Sequence, residues 1–320
     1  MANELKKTAV IVNPRSGGGK AARDWPHIRQ ALEHRLGPFV TRFTERPGHG
    51  IALARELLEE GFERIIAAGG DGTLNEIANG FLTGDDPVRP NACLGVLNLG
   101  TGGDFRRTLG MSSNIEEMIE VLQTGVPLSI DLGKVAYTDP RGARQSRIFI
   151  NLVSFGMGGA VAAASKNFLS RFSGNLAFKW ATFRVFLGYR GRSVRLRLDG
   201  ASEPSPFFVT NVAVGNGRFH GGGMHPCPTA RLDDGMLEVT VIDFLGMVQL
   251  VRDLSVLYSD DVYRHPKVHH LRGQKIIAEA DEPTQIEVDG EPLGMLPLEI
   301  TLLPRRLSVL VPRGSELLVS

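Results

Sequence analysis

The sequence predicts a two-domain α/β protein, in which an N-terminal parallel-sheet domain is followed by a domain of antiparallel strands. Two observations support this prediction. In the first part of the chain, short apolar strands alternate with helical segments, and several strands end in glycine-rich loops, as in parallel sheets that bind ligands at their carboxyl edge. After about Pro127, strand patterns of period two dominate, which is typical of a β-sandwich. The predicted domains are residues 1–132 and 133–320.

The central element of the N-terminal domain is the segment 65–76, which is typical of a buried strand, a Gly-Gly-Asp-Gly turn and a helix. Glycine lets a ligand approach the backbone, and the start of a helix offers N–H groups to an anion, so a phosphate chain is the expected ligand. Because a carboxylate would repel bare phosphate, we expect Asp71 to hold Mg²⁺, a bound water or a hydroxyl. For this segment taken alone, a purely structural turn is an equally good interpretation.

Similar strand–loop–helix units surround this segment. The loop 13–20 is not a Walker A loop, because Lys20 is followed by Ala21 rather than by Ser or Thr. The predicted elements of this domain are strands at 8–12, 39–43, 65–68 and 92–97 and helices at 21–36, 50–60, 73–80 and 115–122. Three glycine-rich loops at the ends of neighbouring parallel strands indicate one shared ligand site.

The C-terminal part is predicted to consist mainly of strands, which are interrupted by only two candidate helices. The strand patterns lie at 193–198, 207–214, 236–242, 285–288, 298–302 and 307–311, and the helical candidates at 160–187 and 248–258. Alternating apolar and polar residues with turn residues between the runs favour an antiparallel sandwich.

The composition is that of an ordinary globular protein. Hydrophobic residues make up 42% and charged residues 22% of the 320 residues, and the net charge of +1 gives no reason to expect nucleic-acid binding. Cys93 and Cys227 have no CxxC spacing and are expected to be core residues. The absence of a long uncharged apolar run and of a signal-like start predicts a cytoplasmic protein that is at most peripheral to a membrane.

Six motifs, in this order, closely resemble the diacylglycerol kinase catalytic family, which includes sphingosine and ceramide kinases. The motifs are NPRSG at 13–17, GGDGTLNE from 69, LGTGGDF at 99–105, NGRFHGGGM at 216–224, LDDGMLEV at 232–239 and DGEP at 289–292. The match spans about residues 8–311, and the C-terminal half is most similar to the bacterial soluble lipid kinases. The resemblance implies an α/β nucleotide domain followed by a β-sandwich, an active site in the cleft between them, and ATP and Mg²⁺ as cofactors.

The resemblance also implies individual site residues. The implied ATP-binding residues are Asn13, Pro14, Arg15, Ser16, Gly17, Thr44, Gly70, Asp71, Gly72, Thr73, Leu74, Asn75, Glu76, Thr101 and Asp104. Among these, Asp71 and Asp104 correspond to acidic positions of the Mg²⁺ and phosphate network, and Asp71 is counted as catalytic. Of the basic residues near these loops, Arg15, Lys20, Arg106 and Arg107, only Arg15 lies inside a matched motif and is favoured as a phosphate contact.

A structural Mg²⁺ is implied at the loop that contains Arg231, Asp234 and Met236. Because Arg and Met side chains cannot ligate Mg²⁺, backbone carbonyls would have to serve at those two positions. The proton acceptor is implied to lie in the Asp-Gly-Glu turn as Glu291 or Asp289, with Glu291 slightly favoured. Asp-Gly is also a strong hairpin signal, so the turn can be structural and still carry the base.

Two residues depart from the family pattern, which usually has Asn at the position of Gly103 and Pro at that of Asn98. Loss of the amide at position 103 is expected to change nucleotide affinity or choice. Because Thr101 and Asp104 remain, we do not expect loss of activity.

These residues predict an ATP- and Mg²⁺-dependent lipid kinase that transfers the γ-phosphate to a lipid hydroxyl, with diacylglycerol as the leading acceptor. Glu291 or Asp289 would remove the proton from the attacking hydroxyl. The alternatives are a kinase for another lipid alcohol, such as a sphingoid base or phosphatidylglycerol, an NAD kinase, and a catalytically silent lipid- or nucleotide-binding protein. The sequence predicts no oligomeric state.

The stretch from Pro140 to Leu198 contains no Asp or Glu, but it contains nine arginines and two lysines interleaved with aromatic residues. Such a segment can lie on an anionic membrane, where a lipid substrate would be met. In the alternative interpretation, the aromatic residues belong to the core and the arginines form a solvated face. Nucleic-acid binding is a third interpretation, although the sequence shows no recognised fold for it.

Overall fold

A computed structural model describes residues 7–139, 141–169, 185 and 188–318 of the chain. The chain divides into two compact units. The first comprises Met1–Leu132, Leu232–Asp234 and Leu303–Ser320, and the second comprises Gly133–Arg231 and Gly235–Leu302.

The first unit is the predicted α/β nucleotide domain. Its elements are β1 (Thr8–Val12), α1 (Lys20–Leu36), β2 (Val40–Phe43), α2 (His49–Glu59), β3 (Arg64–Gly69), α3 (Asp71–Gly80), β4 (Leu82–Thr83), β5 (Asp86–Pro87), β6 (Cys93–Asn98), α4 (Asp104–Thr108), α5 (Ile115–Thr124) and the start of β7 (Val126–Thr138). Among the described residues, β2, β1, β3 and β6 lie side by side in that order as a parallel sheet. The prediction of a parallel sheet is confirmed.

Burial explains why these segments form strands and helices. Every residue of β1 is buried, as expected for a strand covered on both faces. Helix α1 buries Ala21, Trp25, Ile28, Leu32 and Leu36, whose spacing of three to four residues places them on one helical face. The side chain of Asn114 caps α5 by accepting a hydrogen bond from the Glu116 backbone N–H at 2.8 Å.

The second unit is built of antiparallel strands. Its elements are the rest of β7, β8 (Arg144–Phe149), β9 (Leu152–Gly156), α6 (Met157–Leu169), β10 (Arg192–Leu198), β11 (Ser205–Gly215), β12 (Leu237–Asp243), α7 (Met247–Asp253), β13 (Val268–Gly273), β14 (Lys275–Ala280), β15 (Gln285–Val288) and β16 (Glu291–Val311). Short 3-10 turns occur at Ser16–Gly19, Leu254–Tyr258, Asp260–Arg264 and Glu316–Leu318. Inward-facing apolar residues of these strands, among them Val153, Phe155, Val212 and Ile276, form one buried core. The predicted antiparallel sandwich domain is confirmed.

Strand β16 differs from the prediction. The runs 298–302 and 307–311 were both predicted for the second domain, but they belong to one 21-residue strand. Its last part pairs in parallel with β6 in the first unit, with Ser308 opposite Cys93 and Val309 opposite Leu94. The run 298–302 lies in the second unit as predicted, whereas the assignment of 307–311 to the second domain was wrong. A short β-rich run has the same local pattern in either kind of sheet.

The long helix predicted at 160–187 begins three residues earlier, as α6, and the structure describes it as far as Leu169. Most of the aromatic and several of the basic residues of the acid-free stretch lie outside the described residues. In the described part of the chain, no helix is long and apolar enough to cross a membrane.

Both cysteines are buried and free, as predicted. Burial raises the pKa of the Cys227 thiol to about 12, so this thiol is a packing group and not a nucleophile.

Candidate active site

The loop after β1 is tied to the start of α3 through Asn13. The Asn13 side chain accepts a hydrogen bond from the Arg15 backbone N–H at 3.0 Å and donates one to the Thr73 hydroxyl at 2.8 Å. The Gly70 backbone N–H in turn donates to the Ser16 hydroxyl at 3.3 Å. The first two predicted motifs therefore form one hydrogen-bonded structure at the carboxyl edge of the sheet.

The third glycine-rich loop closes on the same place. A Cβ atom at Gly100 would lie 2.6 Å from the Gly70 Cα, and one at Gly17 would lie 2.9 Å from the Leu99 carbonyl oxygen. Gly17 also has a φ of +61°, which glycine adopts without strain. Because only glycine fits at these two contacts, close approach of backbone to backbone explains Gly17 and Gly100. The three loops meet, as the sequence predicted.

Asp71 caps the short helix α4. Its carboxylate accepts hydrogen bonds from the backbone N–H groups of Gly103 at 2.7 Å and of Asp104 and Phe105 at 3.4 Å each. A carboxylate at a helix N-terminus is stabilised by the helix dipole. One carboxylate oxygen accepts from both Gly103 and Asp104, whereas the other accepts only from Phe105 and keeps a lone pair that can contact a cation or water. The predicted role of Asp71 in the Mg²⁺ network stays a prediction.

Asp104 is buried and forms an ion pair with Arg107 at 2.7 Å, and Arg107 also donates to the Gly102 carbonyl at 2.8 Å. The neighbouring Arg106 is buried, donates to the Met111 carbonyl, and has its pKa lowered by burial and by Arg107. Two guanidinium groups thus stand beside the third glycine-rich loop. The sequence favoured only Arg15, which is exposed, although the position of Arg106 and Arg107 directly after the motif was an available signal.

Glu76 caps helix α2. Its carboxylate accepts hydrogen bonds from the backbone N–H groups of Gly48 at 2.7 Å and Gly50 at 3.0 Å. Leu74 and Asn75 are buried within α3, whereas Thr101 is exposed in the third loop. The ATP contacts predicted for these residues stay predictions, and the geometry gives Glu76 a structural role that the sequence did not suggest.

The two departures from the family pattern are neighbours in space. Gly103 has a φ of +72°, and a Cβ atom there would lie 2.7 Å from the Asn98 side-chain nitrogen. The side chain of Asn98 therefore occupies the space into which a side chain at position 103 would begin to extend. The two departures form a compensating pair.

The Asp-Gly-Glu turn joins β15 to β16 as a tight hairpin, with φ of +47° at Asp289 and +85° at Gly290. The Asp289 carboxylate accepts hydrogen bonds from the backbone N–H groups of Ile150, Asn151 and Leu152 at 3.0, 3.1 and 2.8 Å. Asp289 is only 8% exposed. It anchors the segment that leads into β9, which is a structural role.

Glu291 has a different environment. Its side chain is 39% exposed, and one carboxylate oxygen accepts a hydrogen bond from the Arg147 guanidinium at 2.7 Å. Burial raises the pKa of the nearby Tyr137 phenol, which is therefore neutral at physiological pH. Of the two carboxylates that the sequence left open, Glu291 is the more exposed to solvent.

The loop that contains Arg231, Asp234 and Met236 turns at Gly235, whose φ is +72° and whose carbonyl accepts a hydrogen bond from the Gln274 side chain at 3.0 Å. Asp234 is exposed. One carboxylate and backbone carbonyls are oxygen donors of the kind that Mg²⁺ prefers, so the donor chemistry fits the predicted ion. The described residues bring no group of three His, Cys, Asp or Glu side chains together as a metal site. The three-residue Mg²⁺ site stays a prediction.

The sequence analysis missed a buried carboxylate in the first unit, Asp131. It is fully buried, its backbone N–H donates to the Leu232 carbonyl at 2.6 Å, and its carboxylate accepts from the Arg305 backbone N–H at 2.8 Å. A single acid within the apolar run of β7 was the available signal.

The chain matches two family models, one in each half. Residues 7–135 match the family model of the diacylglycerol kinase catalytic domain, and residues 151–311 match that of the YegS C-terminal NAD kinase beta sandwich-like domain. A probable lipid kinase YegS-like protein of Chromohalobacter salexigens is 31% identical over 94% of this chain and 93% of its own length. A diacylglycerol kinase of Staphylococcus saprophyticus is 28% identical over 96% of both chains.

Solved structures share the fold. A putative diacylglycerol kinase from Bacillus anthracis superposes with a TM-score of 0.75 at 23% identity, over 98% of this chain and 99% of the other. Yeast NADH kinase superposes with a TM-score of 0.51 at 10% identity, over 99% of this chain and 86% of the other.

Proposed function

Because this chain belongs to the diacylglycerol kinase catalytic family and is a lipid kinase, we propose that it transfers the γ-phosphate of ATP, with Mg²⁺, to the hydroxyl group of diacylglycerol. The observation that carries the proposal is the convergence of three glycine-rich loops at the carboxyl edge of the parallel sheet. Such a site offers backbone N–H groups to a phosphate chain. The acceptor is inferred from relatives named diacylglycerol kinase.

In phosphoryl transfer, the protein mainly positions the reactants and neutralises charge. We assign nucleotide binding to the loops that contain Asn13, Ser16 and Gly70. Arg107 pairs with Asp104 and donates to the Gly102 carbonyl, so its role is to hold the third loop in place. Mg²⁺ bound with ATP would supply charge neutralisation at the transferring phosphate.

We propose Glu291 as the proton acceptor for the attacking lipid hydroxyl. Three backbone N–H groups already engage the Asp289 carboxylate, whereas Glu291 is accessible and bonds to one guanidinium. Arg147 holds the Glu291 carboxylate in one orientation, which favours a defined direction of proton transfer. Since diacylglycerol resides in membranes, we also propose a cytoplasmic enzyme that works peripherally at a membrane surface.

The test is transfer of labelled γ-phosphate from ATP to a panel of diacylglycerol, sphingosine, ceramide, phosphatidylglycerol and NAD, with and without Mg²⁺. The variant Glu291→Gln is compared with Glu279→Gln, which removes another exposed carboxylate that lies beside an arginine, Arg195. Mg²⁺-dependent label on diacylglycerol that is lost only in Glu291→Gln supports the proposal. If only a different lipid is labelled, that lipid is the acceptor and diacylglycerol is not. If NAD is labelled, the proposal that the acceptor is a lipid is refuted.

A further inference from the structure

The hairpin that carries Glu291 has only a short regular ladder beside its turn. Strands β15 and β16 pair in register for two positions next to the turn, the second of which places Glu287 opposite Pro292. The register then shifts, so that Ile286 lies opposite Gly294. Such a bulge leaves one residue unpaired and disrupts the ladder locally. The end of β16 that bears Glu291 is therefore coupled to β15 mainly through the residues beside the turn.

One of those residues, Glu287, is a buried carboxylate that the proposed phosphoryl transfer does not use. Its neighbours Ile286 and Val288 belong to the buried core, so the Glu287 side chain projects from the opposite face of the strand. Glu287 is only 4% exposed, and its Oε1 atom lies 2.6 Å from Nε2 of His220. In the part of the chain that the structure describes, no aligned hydrogen-bond donor faces this oxygen. The close contact with the imidazole, here called the His–Glu pair, is therefore what offsets the burial of the carboxylate.

His220 stands at the start of a glycine turn that closes on itself. Its backbone N–H donates to the Met224 carbonyl at 2.9 Å. The three residues between them, Gly221, Gly222 and Gly223, all have positive φ, at +63°, +85° and +111°. Because the turn closes at His220, the backbone position from which the imidazole reaches Glu287 is fixed.

The loop 216–220 is also bonded to the segment that Asp289 holds. The Asn216 side chain donates to the Ile150 carbonyl at 2.9 Å, and the Asn151 side chain donates to the Phe219 carbonyl at 2.8 Å. The backbone N–H groups of 150–152 are those that bind the Asp289 carboxylate. The loop is therefore linked to the hairpin at two points, through Asp289 and through the His–Glu pair.

We propose that His220 is a positioning residue for the reaction. It holds Glu287 in its buried place, and it thereby keeps the neighbouring Glu291 in the orientation that accepts the proton. Without the imidazole, the buried carboxylate loses the group that compensates it and has to move toward water. The bulge beside Glu287 lets this movement pass to the end of β16, where Glu291 lies. The inference rests on the proposed function, in which Glu291 is the proton acceptor.

The first test compares the turnover of His220→Leu, His220→Gln and a matched control. The control is His225→Gln, which alters a second imidazole–carboxylate contact of the same region, 2.6 Å from His225 to the exposed Asp260. In His220→Leu we expect kcat to fall about tenfold, because the base is misplaced, while KM for ATP changes less than about twofold. His220→Gln keeps an N–H group and should lose only about threefold, and His225→Gln should lose less than about twofold. Equal losses in His220→Leu and His225→Gln, or no loss in His220→Leu, would overturn the proposal.

The second test asks whether His220 acts through Glu291. In a chain that already carries Glu291→Gln, adding His220→Leu should lower the remaining turnover by less than about twofold, because residues that act as a unit are not additive. A further loss of about tenfold would show that His220 acts independently of Glu291, which would overturn the proposal.

A third measurement needs no substrate and separates this inference from the proposed function. Amide hydrogen exchange of the segment 285–292 should be faster in His220→Leu than in the unmodified chain and in His225→Gln, while urea unfolding confirms that all three are folded. Unchanged exchange in His220→Leu would overturn the inference, whatever the substrate. Faster exchange together with no phosphorylation of any lipid by the unmodified chain would refute the proposed function and support the structural part of the inference.

Discussion

Replacing Asp289 by Asn should destabilise the protein, whereas replacing Glu291 by Gln should remove activity and leave stability nearly unchanged. The structure gives the two neighbouring carboxylates different roles. Asp289 is buried and accepts three backbone hydrogen bonds, and Glu291 is accessible and accepts one from a guanidinium. The two substitutions each replace a carboxylate by an amide of the same shape, so they are matched.

The size of the Asp289 effect follows from its hydrogen bonds. One carboxylate oxygen accepts from Asn151 and Leu152, and the other accepts from Ile150. An amide can keep one oxygen for two of these bonds, but its NH₂ group would face the third N–H, leaving a buried donor unsatisfied at about 1–3 kcal/mol. The remaining hydrogen bonds also lose the strengthening that a charged acceptor provides. We therefore expect the free energy of unfolding to fall by about 2–4 kcal/mol in total. The φ of +47° adds no strain, because Asn adopts this region readily.

The assay combines urea unfolding with kinase turnover. Glu291→Gln should change the free energy of unfolding by less than about 1 kcal/mol, because its ion pair is partly exposed. Its turnover should fall by about 10²–10⁴-fold, the usual contribution of a general base. The reasoning is refuted if Asp289→Asn unfolds like the unmodified chain but is inactive while Glu291→Gln keeps its activity, since Asp289 would then be the proton acceptor.

Three further predictions concern other contacts. Glu76→Ala should lower the free energy of unfolding in urea by about 1–3 kcal/mol, because the buried Gly50 N–H loses its acceptor; unchanged stability with weaker ATP binding would show a nucleotide role instead. Gly103→Asn should destabilise the protein through contact with Asn98, and Asn98→Ala in the same chain should restore about 1 kcal/mol in a double-mutant cycle, so additive effects would contradict the compensating pair. Burial lowers the pKa of the His225 imidazole, so the unfolded chain takes up a proton more readily and stability should fall as pH drops through about 6.5. In His225→Gln this fall should be smaller, and an identical pH dependence of unfolding would argue against a buried neutral imidazole.

The parallel sheet and its glycine-rich loops could be predicted because their signals are local. A run of buried residues, a glycine turn and a helix follow one another within about a dozen residues, as at 65–76. Glycine is required at Gly17 and Gly100 because two loops come into contact there. This contact can still be recognised in the sequence, because no other residue fits at either position.

Other contacts between distant parts of the chain leave no local pattern in the sequence. The pairing of Ser308 with Cys93 decides which sheet the last strand joins, but either sheet accepts an apolar, β-branched run. The sequence could not separate Asp289 from Glu291, because the difference lies in three N–H groups contributed by another strand connection, about 140 residues away. Glu76 lies in a motif that suggests a ligand contact. Only the fold shows that its carboxylate accepts a hydrogen bond from the Gly48 backbone N–H at the start of α2.

The most direct test of the account is formation of labelled phosphatidic acid from diacylglycerol and γ-labelled ATP, measured with Mg²⁺ and after its removal with a chelator. The account predicts Mg²⁺-dependent product with the unmodified chain and with Glu279→Gln, and loss of product with Glu291→Gln. No phosphatidic acid from the folded, unmodified chain, with label appearing on another acceptor, would contradict the proposed function.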